Sequence, residues 1–209
     1  MSVKRYLKVI FPLLAILTSL ILAACSAPAR LPVLSKDDVV VAFGDSITFG
    51  TGAEALESYP AVLEKIIGRR VVNAGVPGEV TAEGLSRLAK VLDQEKPVII
   101  VICHGGNDHI RRLNRKQVAD NIRAMVSLSR QKGAAAVLIA VPSLGLSVTP
   151  APLYRDIAKE LNVPLEEKTL SSILADNSLK SDLIHPNAAG YRRLAESVAG
   201  LLKKSGAID

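Results

Sequence analysis

From Asp38 onward the chain alternates short aliphatic runs with longer stretches in which apolar residues return every three or four positions. Val39–Phe43 is apolar throughout and runs into a Gly-containing turn, which predicts a first strand. Tyr59–Ile67 predicts a helix and Arg70–Asn73 a second strand. Over Val80–Gln94 the side chains of Leu85, Leu88, Ala89 and Leu92 share one helical face. Pro97–Cys103 (PVIIVIC) is almost continuously apolar, the pattern of a central parallel strand covered on both faces. Asn114 opens and Gly133 stops a long helix that reaches Lys132. Ala135–Val141 predicts a fourth strand, ended by Pro142, and a loop follows to Pro152. Leu153–Leu161 predicts a helix, Val163–Leu165 a short fifth strand, and Ala188–Lys203 the last helix. Strand–helix alternation of this kind implies an α/β sandwich around a mostly parallel sheet.

The first 37 residues follow another pattern. Lys4, Arg5 and Lys8 precede a run from Val9 to Ala24 that is apolar but for Thr18 and Ser19. That run is short for a membrane span, which needs about 20 residues, and it fits the apolar region of a secretory signal. It ends in Leu22-Ala23-Ala24-Cys25, which resembles the bacterial lipobox. The resemblance implies a signal peptide over residues 1–24, cleavage before Cys25, and lipid attached to its sulfur and its new amine. An ordinary cleaved signal and an uncleaved N-terminal helix are the competing readings. Residues 25–37 would then be a lipidated Cys and a flexible tether rich in Pro, Ala and Ser, and residues 38–209 a single domain. The expected location is outside the cytoplasm, anchored in a membrane and facing the periplasm or the cell exterior.

Composition narrows the remaining choices. The formal net charge of +6 falls to +3 without residues 1–24, an ordinary value that names no polyanionic partner. Aromatic residues are 3% of the chain and there is no Trp, so stacking platforms for single-stranded nucleic acid are scarce and the core is expected to be aliphatic. No nucleic-acid partner is expected. With Cys25 lipidated, Cys103 is left alone, and the domain cannot depend on an internal disulfide. Three histidines without close carboxylate pairing make no metal site.

In open α/β sheets ligands bind beyond the carboxyl ends of the strands, and the unusual residues of this chain fall there repeatedly. The first predicted strand is followed by Gly44-Asp45-Ser46-Ile47-Thr48, the second by Asn73-Ala74-Gly75-Val76-Pro77-Gly78, and the third by His104-Gly105-Gly106-Asn107-Asp108. Asp182-Leu183-Ile184-His185-Pro186-Asn187 precedes the last helix. These four segments resemble, in order and in spacing, the GDS(L), N-A-G/S-x-x-G, GxND and DxxHPN blocks of the SGNH (GDSL) hydrolase family. The size and layout are most similar to its small thioesterase/lysophospholipase and arylesterase members. The resemblance implies a three-layer α/β/α sandwich with a flavodoxin-like five-stranded sheet.

It also implies roles. Ser46 is the nucleophile, His185 the base that activates it, and Asp182 the carboxylate that orients the imidazole. The oxyanion donors are the backbone N–H groups of Ser46 and Gly78 and the side-chain amide of Asn107. No cofactor is needed. The G-x-S-x-G elbow of the α/β-hydrolases is absent, because position 48 is Thr. Asp45, Asn73 and Asp108 are expected to be structural, His104 to pack in its loop, and Cys103 to be a small buried hydrophobe. His109 either lines the substrate mouth or faces solvent. Arg111, Arg112 and Arg115 read as a solvated helix entrance, and Leu144, Leu146 and Val148 as a candidate wall for an acyl chain. The expected activity is hydrolysis of a carboxylic ester, or of a thioester, in acyl, aryl or lysophospholipid substrates through an acyl-enzyme. A cell-envelope carbohydrate O-acetyl esterase and a non-enzymatic ligand-binding lipoprotein remain as alternatives.

Overall fold

The computed structural model describes residues 29–143 and 148–209. The signal peptide, Cys25, Leu144 and Leu146 lie outside the described residues.

Five parallel strands form the main sheet: β1 (Val39–Gly44), β2 (Arg70–Gly75), β3 (Ile99–Cys103), β4 (Ala135–Ile139) and a two-residue edge strand, Leu165–Glu166. The order is β2, β1, β3, β4 and then the edge strand. Val41 lies between Val72 and Ile100, and Gly44 between Gly75 and Cys103. Every residue of β3 is buried, as its uninterrupted apolar run predicts. Because β2 and β3 flank β1 on opposite sides, the chain leaves β1 at the point where the winding reverses, and a crevice opens beyond its carboxyl end.

One helical layer is formed by α1 (Ser46–Phe49) and α2 (Tyr59–Ile67), together with the last helix, Ala188–Lys204, packed on α2. The other holds α3 (Thr81–Glu95) against α5 (Arg115–Gln131), which in turn meets α6 (Pro152–Leu161). Between α3 and α5 comes α4 (Gly106–Ile110). A seventh helix, α7 (Thr169–Ala175), packs on Ala188–Lys204, which is α8. Asn114 caps α5 as expected, its Oδ1 accepting from Lys116 N at 2.9 Å. Among the described residues no helix is long and apolar enough to cross a membrane.

The structure corrects the sequence reading in several places. β2 runs on to Gly75, since pairing with β1 continues to its end. The edge strand is displaced to Leu165–Glu166. Helices α1, α4 and α7 were not expected, because at four, five and seven residues they are too short to display a period. The loop after Pro142 contains a small antiparallel pair, β5 (Pro142–Ser143) with β6 (Thr149–Pro150), which makes the edge strand β7. The core is aliphatic in bulk, yet its largest fully buried side chains include Tyr59, Tyr154, Tyr191 and Phe43.

Part of the expected tether is docked on the domain. Leu31 and Leu34 are buried, and their N–H groups donate to the carbonyls of Ser205 and Ala207 at 2.9 and 2.8 Å. Two apolar side chains inside the Pro- and Ala-rich stretch are enough to fix the chain to the domain from Leu31 onward.

Candidate active site

The crevice beyond β1 is built from its own turn. β1 ends at Gly44, and Asp45 caps α1 by accepting the N–H of Ile47 on Oδ1 at 3.1 Å. Ser46 therefore stands at the first position of α1, half-buried, at the mouth of the crevice. Burial raises the Asp45 carboxyl above its ordinary value, more than His104 and the N–H groups of Ile47 and Gly106 lower it.

His185 reaches Ser46 from the loop before α8. Its Nε2 lies 3.0 Å from Ser46 Oγ, and its Nδ1 lies 2.7 Å from Asp182 Oδ2. The loop folds around its own carboxylate, because Asp182 Oδ1 accepts the N–H groups of both Ile184 and His185 at 2.8 Å. This is why three residues of spacing suffice to place orienter and base together. Burial raises the Asp182 carboxyl, but the bonds from His185 and from the two N–H groups outweigh it and hold the group below the usual carboxylate range. Asp182 stays ionised and accepts from Nδ1–H, which leaves Nε2 free to take the serine proton.

Gly78 and Asn107 line the same cleft as Ser46 and His185. Gly78 adopts φ +80°, a conformation that a side chain would strain, while space around it is open. Arg111 Nη2 donates to the Gly78 carbonyl at 2.8 Å, so one arginine of the exposed basic cluster also fastens this loop. Asn107 Nδ2 donates to the Glu79 carbonyl at 3.0 Å, which uses one of its two amide hydrogens and orients the other. Asn73 bonds Phe49 O and Gly75 N, and Asp108 accepts from Thr81 N and Oγ1 at 2.9 and 2.6 Å. Both tie loops together, as expected of them.

The cleft has a volume of about 220 Å³. Its apolar wall comes from Ile110, Val141, Pro142, Leu170, Leu174 and Ile184. Leu170 and Leu174 belong to α7, so part of the wall comes from a helix the sequence did not announce. Val148 packs against the core and does not line the cleft.

The remaining candidates stay apart from the chemistry. Cys103 is buried at the end of β3, and burial pushes its thiol well above the ordinary value, which disfavours a reactive thiolate. His104 is fully buried and bonds Glu79, and burial lowers the His109 imidazole. Among the described residues, no three His, Cys, Asp or Glu side chains are grouped to hold a metal ion. Sequence reasoning missed Glu79 and Arg87, which pair beneath the Gly78 loop at 2.6 and 2.7 Å. Eight residues apart across a loop and a helix, the pair follows no period that a sequence could display.

A parallel α/β sheet that carries serine, histidine and carboxylate in one hydrogen-bonded chain at its switch point has the layout of a serine hydrolase. The chain belongs to the GDSL-like lipase/acylhydrolase family, which it matches over residues 42–193, a span that includes Ser46, Gly78, Asn107, Asp182 and His185. It is 31% identical to esterase TesA of Pseudomonas aeruginosa, over 88% of this chain and 98% of that protein. It is 28% identical to thioesterase 1/protease 1/lysophospholipase L1 of Escherichia coli K12, over 79% of this chain and 84% of the relative. A crystal structure of TesA superposes with a TM-score of 0.72 at 29% identity, covering 80% of this chain and 99% of the other.

Proposed function

We propose that the chain hydrolyses esters of short or medium acyl chains through an acyl-enzyme on Ser46. Ser46 Oγ attacks the carbonyl carbon while His185 Nε2 takes its proton. The oxyanion is held by the N–H groups of Ser46 and Gly78 and by Asn107 Nδ2. Collapse expels the alcohol, or the thiol of a thioester, which receives the proton from His185. Water then attacks the acyl-enzyme with His185 again as base, releasing the acid and restoring Ser46. The observation that carries this reading is the unbroken chain Ser46–His185–Asp182 at 3.0 and 2.7 Å. The apolar cleft of about 220 Å³ is smaller than the ~300–1,000 Å³ usual for drug-sized ligands, which favours a modest acyl group.

The test is a soluble form beginning at Ser26, assayed on p-nitrophenyl esters of increasing acyl length beside Ser46→Ala and His185→Ala. Turnover is expected to vanish in both variants while the fold persists. Near-wild-type activity in either one refutes the assignment.

Export and lipid attachment at Cys25 belong to the same proposal, supported by the basic start, the apolar run and the Leu-Ala-Ala-Cys sequence that ends it. Labelled fatty acid is expected to enter the wild-type chain and not Cys25→Ser. Equal incorporation in both counts against the anchor.

A further inference from the structure

Beneath the oxyanion loops lies a buried ionic cluster that takes no part in the mechanism above. Glu79 Oε1 accepts Arg87 Nε at 2.6 Å, and Oε2 accepts Arg87 Nη2 at 2.7 Å and His104 Nε2 at 2.9 Å. Arg87 Nη2 also donates to the carbonyls of Ala74 at 2.9 Å and Gly44 at 3.3 Å, and its guanidinium stacks 4.1 Å above the Phe43 ring. The His104 carbonyl accepts the hydroxyl of Tyr154 at 2.6 Å. α3 makes room for the cluster at Gly84, where a Cβ would collide with His104 Nε2. A glycine inside a helix costs about 1 kcal/mol relative to alanine, so the cavity is kept at the helix's expense. Burial raises the Glu79 carboxyl, but the bonds from His104 and Arg87 outweigh it and keep it ionised.

The cluster joins the three segments that carry the proposed oxyanion donors. Gly44 precedes Asp45 and Ser46, Ala74 leads into the loop of Gly78, and His104 opens the loop of Asn107. The Glu79 main chain adds a fourth link by accepting from Asn107 Nδ2. A buried ion cluster is a poor way to gain stability, since desolvation cancels much of the attraction. Its placement where three donor loops converge is better explained by geometry.

We infer that Glu79, clamped by Arg87 and His104, is the positioning residue that sets the spacing of the oxyanion donors. The inference rests on the serine-esterase reading. Glu79→Gln preserves shape but not the charged fork, and Arg87→Lys preserves charge but not the fork. Misplacement by about 1 Å can cost ~10² in rate, so both variants are expected to lose ~10- to 100-fold in kcat with KM changed less than ~3-fold. A boronic acid that forms a tetrahedral adduct on Ser46 is expected to bind more weakly by the same factor as kcat/KM, which a merely structural role would not produce. Wild-type kcat and boronate affinity in a folded variant, with only the melting temperature lowered, overturn the inference. Two variants are used so that a folding failure in one leaves the other to decide. Failure of the esterase reading is seen separately, as turnover that survives Ser46→Ala.

Discussion

Asn107→Ala separates transition-state stabilisation from folding. In the structure the Asn107 side chain donates from Nδ2 to the carbonyl of buried Glu79 at 3.0 Å, which leaves one amide hydrogen unused, and the residue lines the cleft. Losing one oxyanion donor typically costs 10²–10³ in rate, about 2.7–4 kcal/mol. The N–H groups of Ser46 and Gly78 remain, so activity falls to a floor rather than to zero. Losing the bond to Glu79 costs about 1 kcal/mol of stability, which lowers the melting temperature of a domain this size by about 2–4 °C. The donor acts on charge that develops only in the transition state, so KM is expected to move less than ~3-fold. Steady-state kinetics on a p-nitrophenyl ester and a thermal melt of the same preparation measure both quantities. A kcat within fivefold of wild type in folded protein refutes Asn107 as a donor.

Asp182→Asn would present an amide to His185 Nδ1 and favour the wrong tautomer. In a fully buried triad that change costs about 10⁴. Here the Asp182 side chain is 51% exposed and water can substitute in part, so a fall of ~10²–10³ is expected in kcat, read on the same ester; no fall refutes its role. Asp45 carries a pH signature. Its carboxyl is raised in the folded state, so the stability it contributes is complete below the ordinary carboxylate value of about 3.9 and is lost as pH rises through the folded value. Melts of wild type and Asp45→Asn are expected to show the wild-type advantage shrinking from pH 4 to pH 8, and a constant gap refutes the reading. Ile110→Trp at the half-exposed mouth of the cleft is expected to spare acetate esters and slow octanoate esters about tenfold or more. Equal effects on both would show that the acyl chain lies elsewhere.

The sequence by itself determined a great deal here. Continuous apolar runs located the parallel strands, and amphipathic periods located the long helices, because burial on one or both faces imposes those spacings directly. That Ser46, Gly78, Asn107 and His185 line one cleft was legible because each lies in a short segment shaped by a local turn, as Asp182 shows by binding its own loop. Only the tertiary structure decided what depends on distance between segments. Glu79, Arg87 and His104 look like an ordinary charged pair and a loop residue until three strand ends bring them together. Leu170 and Leu174 of α7 joined the apolar wall of the cleft unannounced, since a seven-residue helix leaves no period to read. Leu31 and Leu34 are docked for a related reason: beside Pro, Ala and the exposed Val33 they do not stand out until the chain at Ser205 and Ala207, just beyond α8, pairs with them.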